Sequence, residues 1–527
     1  MDFRNNNLIF HFCFFAFQCK VNKKPPDFPP WKKLLPSWLR PSRVTTKPSR
    51  KQLKSSSNPP QLTLKTDNKP NREYTNDIIS VQVLLNLLLN ANDAGIRQLC
   101  TVLLKRNINH HYLNMEPNDQ KFLKQALLER YFIEPQRPVR RGIGFLIGVL
   151  TEVTLPKQDW NELLELISQR TDSQQPVEVR ESAIYLLSLI LDISGQHLES
   201  HFTNFYKFFS NTIVDSSKAI RYQSLKCILI LLESVKDNDN LSLFSNLVEA
   251  VLKTVNDAID DRQDEIVHLA FVVFCQLSEI ESPMFNDKIY TALVYFICSD
   301  RVLMNPNMDI STQEVAIDLV ADIAESHKPV LAKNLELLQH VVDTMCALTM
   351  NKSKPQGLDD AESIQDLALM LILDLAGQIA KKKIYPIFKK NIDKLIQAND
   401  PWKLEAALFI LGSISQGCCE YLKRDLDVII NTYVQAALSN QIPEVRASGI
   451  YAICYFAENL CPDILSYHKV IIPALLKHVD DADTVVAQRA IFTIDLFCQN
   501  MEDDIAEYAE LLIPSFLTVL DNAKSTM

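Results

Sequence analysis

With 527 residues, 47% of them hydrophobic and 22% charged, the chain can bury a large core, and its ten Gly are too few for glycine-rich phosphate loops or a fold of many tight turns. Residues 1–76 hold 15 Lys and Arg against 4 Asp and Glu, a balance of +11, so the other 451 residues carry −21 of the net −10. An acidic body of this kind excludes direct nucleic-acid binding by the body, because phosphate contact needs clustered Lys and Arg, and it suits a basic protein partner.

The apolar run over residues 8–19, LIFHFCFFAFQC, is too short to span a bilayer and is interrupted by His11 and Gln18, so no membrane insertion is expected. Asp2 beside Arg4 and the lack of a small-x-small site argue against a signal peptide. Residues 20–76 contain ten Pro, including Pro25-Pro26, Pro29-Pro30 and Pro59-Pro60, together with Ser55-Ser56-Ser57 and many basic side chains. Such a composition buries too little apolar surface to offset ordering entropy, and it predicts a basic, Pro-rich disordered tail over 1–76. A localisation signal, an RNA-touching tail and a plain solvated segment all fit it.

From Asp77 the pattern changes to helix pairs. The apolar helix IISVQVLLNLLLN stops at ANDAG, and a second helix follows with Ile96, Leu99, Cys100, Leu103 and Leu104 at helical spacing. The same unit recurs: a first helix, a turn with Asp or Pro, then a branched residue, an Arg and a second amphipathic helix. The turns read DAGIR at Arg97, PQRPVRR at Arg140, PVEVR at Arg180, SSKAIR at Arg221 and IPEVR at Arg446, with intervals of 43, 40 and 41 residues from Arg97. Periods near 40 are those of HEAT and armadillo repeats.

The expected fold is therefore all-α: an α-solenoid of HEAT or armadillo type over 77–527, a right-handed superhelix of stacked antiparallel helix pairs. About ten pairs are predicted, with second helices beginning near Ile96, Val139, Val179, Ile220, Ile266, Ser311, Glu362, Trp402, Val445 and Val485. In the third pair Val179, Ala183, Leu186, Leu187 and Ile190 form the core stripe, with Arg180, Glu181 and Ser182 off it. Residues 351–360 insert a loop, and 300–310 do so less strongly. The last helix, EYAELLIPSFLTVLD, has no second helix to cover it, which predicts that the repeats continue in a longer protein.

No chemistry-bearing constellation emerges. Gly142, Gly144 and Gly148 are spaced GxGxxxG behind a Pro-containing loop, which fits close helix packing better than a dinucleotide fingerprint. The 12 Cys and 10 His lack metal-ligand spacing, and no nucleophile elbow, Walker loop or kinase signature is present. No enzyme activity, cofactor or metal is expected. Two acidic groups stand out: Asp257, Asp260, Asp261 and Asp264 around one inter-helix turn, and Asp359, Asp360 and Glu362 closing the long insertion. They read as helix-capping turns or as an anionic surface for basic cargo. Trp402 is a packing residue or an exposed platform on which a basic side chain lays its aliphatic stem.

QLCTVLLKRNINHHYLNM, PVRRGIGFLIGVLTEVTLPKQDWNELLELI and VEVRESAIYLLSLIL, in this order, resemble the N-terminal repeats of importin-β-type karyopherins. DPWKLEAALFILGSISQGC and IPEVRASGIYAICYFAENL are similar to the central repeats of the importin-four/Kap-one-two-three branch. The resemblance covers residues 77–527 and about half the length of that branch. It implies a non-enzymatic nuclear transport receptor moving between cytoplasm and nucleus. Such receptors carry basic proteins with nuclear localisation signals, ribosomal proteins or histones among them, pass the pore on FG nucleoporins and release cargo when GTP-bound Ran GTPase engages the N-terminal arch. It further implies a Ran surface bordered by Arg97, Arg140 and Arg141, and basic cargo at the acidic groups and Trp402. A HEAT-repeat scaffold of phosphatase-regulatory or vesicle-coat type shares the periodicity without the link to Ran.

Overall fold

The computed structural model describes residues 72–235, 239–280, 286–354 and 362–525. The predicted tail, apart from its last residues, lies outside them. All regular elements among the described residues are helical. The chain divides into two compact units, one ending at Asn286 and the other beginning at Asp287.

The first unit pairs α1 (Arg72–Asn90) with α2 (Ala94–Tyr112), α3 (Pro117–Ile133) with α4 (Arg137–Thr154), α5 (Asn161–Arg170) with α6 (Val177–Ser194), α7 (Phe202–Thr212) with α8 (Lys218–Ser234) and α9 (Val248–Asp260) with α10 (Asp264–Ser278). The second holds α11 (Asp287–Ile297), α12 (Ile310–Ser326), α13 (Lys328–Lys333), α14 (Leu335–Leu348), α15 (Ile364–Gln378), α16 (Lys381–Gln397), α17 (Pro401–Val428), α18 (Gln435–Leu438), α19 (Pro443–Asn459), α20 (His468–Leu476), α21 (Thr484–Met501) and α22 (Ala509–Ser525). All ten second helices, α2, α4, α6, α8, α10, α12, α15, α17, α19 and α21, start within two residues of the expected positions.

Their starts have local causes. Asp93 accepts the Ile96 amide at 2.9 Å ahead of α2, Asp400 accepts the Trp402 amide at 2.8 Å ahead of α17, and Ser363 forms a capping box with Asp366 at α15. Pro138, Pro401 and Pro443 occupy first-turn positions, where a missing N–H costs nothing.

Within each unit the second helices stack on one another and the first helices cover them, as the long-range contacts of α4 with α2 and α6, and of α17 with α15 and α19, record. Glycine permits the closest approaches. A Cβ on Gly142 would stand 2.3 Å from Thr101 Oγ1, and one on Gly148 would stand 2.6 Å from the Ile193 side chain. The GxGxxxG run is thus a packing stripe. One expectation for the third pair is corrected: Arg180 is 8% exposed and part of the buried side, whereas Val179 is half-buried.

The eighth and ninth pairs are fused. α17 carries the second helix of one and the start of the first helix of the next, bending at Cys418 (φ −116°, ψ 22°). After one π-helical stretch, Ile429–Val434, the first helix of the ninth pair ends in α18.

Candidate functional site

An arginine recurs at the fourth position of the second helices, and in four of them, Arg97, Arg180, Arg221 and Arg446, it is a clamp between repeats. Arg97 donates to both carboxylate oxygens of Glu134 at 2.9 and 3.0 Å and to the Ala91 and Asn92 carbonyls of its own turn. Arg446 does the same with Asp481, at 2.6 and 2.8 Å, and the Asn440 and Gln441 carbonyls. Arg180 pairs with Asp215. Arg221 donates to Gln263 at 2.6 Å while holding the Asp215 and Ser216 carbonyls. The planar fork meets two oxygens on one side and turn carbonyls on the other, a geometry lysine cannot copy. Burial alone would raise the Asp481 carboxyl, but the bonds from Arg446, the Asp483 amide and His478 overcome it and hold it at about 2.

Arg97 is only 6% exposed and is committed to this clamp, so of the three arginines expected to border a GTPase it faces its own turn rather than a surface. Arg140 and Arg141 are placed differently. Arg140 is half-buried and donates to Ser182 Oγ at 2.9 Å; Arg141 is exposed, with its guanidinium 5.7 Å from the Tyr185 ring centroid. With Arg137 they line a pocket of about 270 Å³ whose other walls include Glu178, Glu181 and Gln223.

Asp257, Asp260, Asp261 and Asp264 are all exposed at the turn between α9 and α10. None is the N-cap of α10; that residue is Gln263, whose side chain makes no capping bond and instead links Arg221 to Asp261. Asp359 and Asp360 lie outside the described residues. Glu362 and Trp402 belong to the second unit, which also contains acidic residues that form no cluster in the sequence.

There, carboxylates of neighbouring repeats crowd one another in two groups: Glu314, Asp318 and Asp322 on α12 with Glu362 and Asp366 at the start of α15, and Glu405 on α17 with Glu444 on α19. Asp318 is exposed by its accessible surface, yet the surrounding protein and then Glu314, Asp322 and Glu362 push it up to about 6. Glu362 is raised by burial, Asp366 and Glu314. Glu405, only 3% exposed, is raised by burial and Glu444, against the opposing bond from Lys352 and the charge of Arg489. Carboxylates held above their ordinary range by like neighbours attract cations strongly. Trp402 borders this strip at 45% exposure.

The first unit also carries a groove between two consecutive first helices. It encloses about 960 Å³ between α5 and α7, with Leu164, Ile167, Phe205 and Phe208 among its apolar lining and the Arg180–Asp215 pair beside them. Among the described residues no group of His, Cys, Asp or Glu could hold a metal ion, and no helix is long and apolar enough to cross a membrane.

A family model described as IPO5-like, TPR repeats, matches residues 135–293. Mouse importin-4 is 22% identical over 422 residues, which span 76% of this chain and 38% of that protein. The probable importin-5 homolog of Dictyostelium discoideum is 24% identical over 67% of this chain and 32% of its own length. The chain thus spans between a third and two fifths of these curated relatives. Among solved structures, Kap121p bound to RanGTP and Kap121p bound to Nup53p each superpose with a TM-score of 0.69 at 17% identity, over 85% of this chain and 44% of theirs. Kap121p has also been solved bound to Pho4p. At these identities the structural likeness establishes the fold, an α-solenoid of HEAT type.

Proposed function

We propose that this chain, a karyopherin of the importin-β type, is part of a nuclear transport receptor that takes up basic protein cargo and surrenders it to Ran GTPase. The observation that carries the reading is the strip of carboxylates on the second unit's second helices, in which burial and like-charged neighbours raise Asp318, Glu362 and Glu405. A lysine-rich segment laid across it would neutralise carboxylates that now repel one another, so binding energy comes from relief of repulsion as well as from new pairs. The turn bearing Asp257, Asp260, Asp261 and Asp264 offers a further anionic surface, with Asp359 and Asp360 beside Glu362 as additional candidates.

Ran would engage the first unit at the pocket rimmed by Arg140 and Arg141, with Arg97 acting indirectly by holding the preceding turn. The α5–α7 groove has the size and apolar lining to admit phenylalanine side chains of FG nucleoporins, which would let the receptor move between cytoplasm and nucleus through the pore. The role is non-enzymatic. Support comes from the importin relatives and from the Kap121p complexes with RanGTP, Pho4p and Nup53p.

The test is a titration of the full chain with a fluorescent lysine-rich peptide, followed by Ran locked with a non-hydrolysable GTP analogue. The expected result is peptide binding that GTP-bound Ran reverses, by negative linkage between the two ligands. Reversing the charge of Glu314, Asp318 and Glu362 together should weaken the peptide at least tenfold. Reversing Arg140 and Arg141 should instead spare the peptide and weaken Ran. A folded chain that binds neither ligand overturns the reading.

A further inference from the structure

Besides the Arg489 guanidinium, whose charge reaches Glu405, one cation of the chain is bonded directly to a carboxylate of the acidic strip. Lys352 lies four residues beyond the end of α14, at the start of the long insertion. Its Nζ sits 4.4 Å from the Trp402 ring centroid and 2.8 Å from Glu405 Oε1. An aromatic face on one side and a buried carboxylate on the other form the usual cage for an ammonium group. The cage opens to water: Trp402 is 45% exposed and the Lys352 side chain 40%, while the Glu405 side chain is 5% exposed.

The contact does not repeat the clamps found elsewhere. In the two fullest of those, a second-helix arginine, Arg97 or Arg446, forks onto the carboxylate of the following turn and also holds the carbonyls of its own. Here the fourth residue of α17 is Leu404, the second helix supplies the carboxylate instead, and the cation arrives on a loop through a single hydrogen bond. A lysine held by one bond and one ring face can be exchanged for another lysine at almost no cost in contacts. Glu444 stands near enough for its charge to be felt at Glu405, and the Arg489 guanidinium opposes it from a distance without a hydrogen bond to this carboxylate.

We propose that Trp402 and Glu405 form a binding site for a lysine side chain of a basic peptide, and that Lys352 fills it in cis and competes with the incoming ligand. The inference rests on reading the second unit as a receptor for basic segments, and it adds a regulator of that site. Occupation in cis lowers apparent affinity by the fraction of time the site is filled.

The experiment uses the full chain, its Lys352→Ala, Trp402→Ala and double variants, and two probes. The probes are a fluorescent lysine-rich peptide read by anisotropy, and Nα-acetyl-lysine methylamide read by the fluorescence that Trp402→Phe removes. Lys352→Ala should bind the peptide about five- to tenfold more tightly, and adding Trp402→Ala should abolish the gain. The lysine derivative should perturb Trp402 in Lys352→Ala and not in the unchanged chain. Equal peptide affinity in the unchanged chain and Lys352→Ala, with a lower melting temperature for the variant, would overturn the inference: Lys352 would then be a clamp between repeats and the receptor reading would survive. If the derivative binds Lys352→Ala through Trp402 while the peptide binds no variant, the lysine site stands and the cargo reading falls. If neither probe binds any variant, both fall.

Discussion

Arg446 and Asp481 show how one side-chain pair serves both stability and shape. Arg446→Ala strips the clamp and leaves Asp481 largely buried without its partner, so it should destabilise the second unit by about 2–4 kcal/mol. Hydrogen exchange should place that loss in α19 and α21, because a repeat stack contacts only its neighbours. The pH dependence has a definite sign. Asp481 titrates at about 2 when folded and near the ordinary 3.9 when unfolded, so the clamp's contribution is complete above about pH 4 and disappears as pH falls through 2. Asp318 behaves oppositely. Its folded value of about 6 lies above the unfolded one, so the protonated form is favoured, and that stability is present below about pH 4 and lost as pH rises through 6. Asp318→Asn should raise the stability slightly at pH 7, by about 1 kcal/mol or less given its exposure, and leave it unchanged at pH 4, as melting temperatures at the two pH values would read. A basic ligand favours the ionised form, so its affinity should fall as pH drops from 7 to 5.

At the scale of the helix, glycine position decides how closely repeats nest. Gly417 lies beside the bend at Cys418, where a Cβ would fall 2.2 Å from the Ala376 carbonyl oxygen of α15. Gly417→Ala should force α15 and α17 apart and cost about 1–3 kcal/mol. Gly377, close to the end of α15, has nothing within 4 Å of the same added atom. Gly377→Ala should stabilise by about 0.5–1 kcal/mol through the unfolded chain's lost freedom. Denaturant midpoints of the two variants moving in opposite directions would confirm that contact, and not helix propensity, governs the first site. Element boundaries were largely legible beforehand, because Asp93, Asp400, Ser363 and the first-turn prolines announce the second helices within a few residues. The fusion of two helices in α17 was not, since the chain there has no Pro or polar turn to mark it, only Gly417 between apolar stretches.

For the whole molecule, charge is the main organising quantity. The 451 residues after the basic segment carry −21, and part of that charge gathers on neighbouring second helices of one unit. Attraction of this kind is screened at a distance of about 8 Å at physiological salt. Raising salt from about 50 to 300 mM should therefore weaken a lysine-rich peptide by roughly tenfold through its association rate, measured by stopped-flow anisotropy. The chain's own melting temperature should move little, because the arginine clamps are buried.

The order of residues alone determined the helix-pair architecture, its period near 40 and the absence of catalytic spacing, because periodicity and capping act over a few residues at a time. It also marked Glu362 and Trp402 as residues of interest, since acid clusters and an isolated Trp at a helix start are visible in one dimension. Only the tertiary structure decided which recurring arginines are locked in clamps and which two, Arg140 and Arg141, line an open pocket, for the same local motif precedes both. It alone set Glu362 beside Asp318, Glu444 beside Glu405 and Lys352 on Trp402, because the partners in each pair lie some 40 to 50 positions apart and meet only when successive repeats stack.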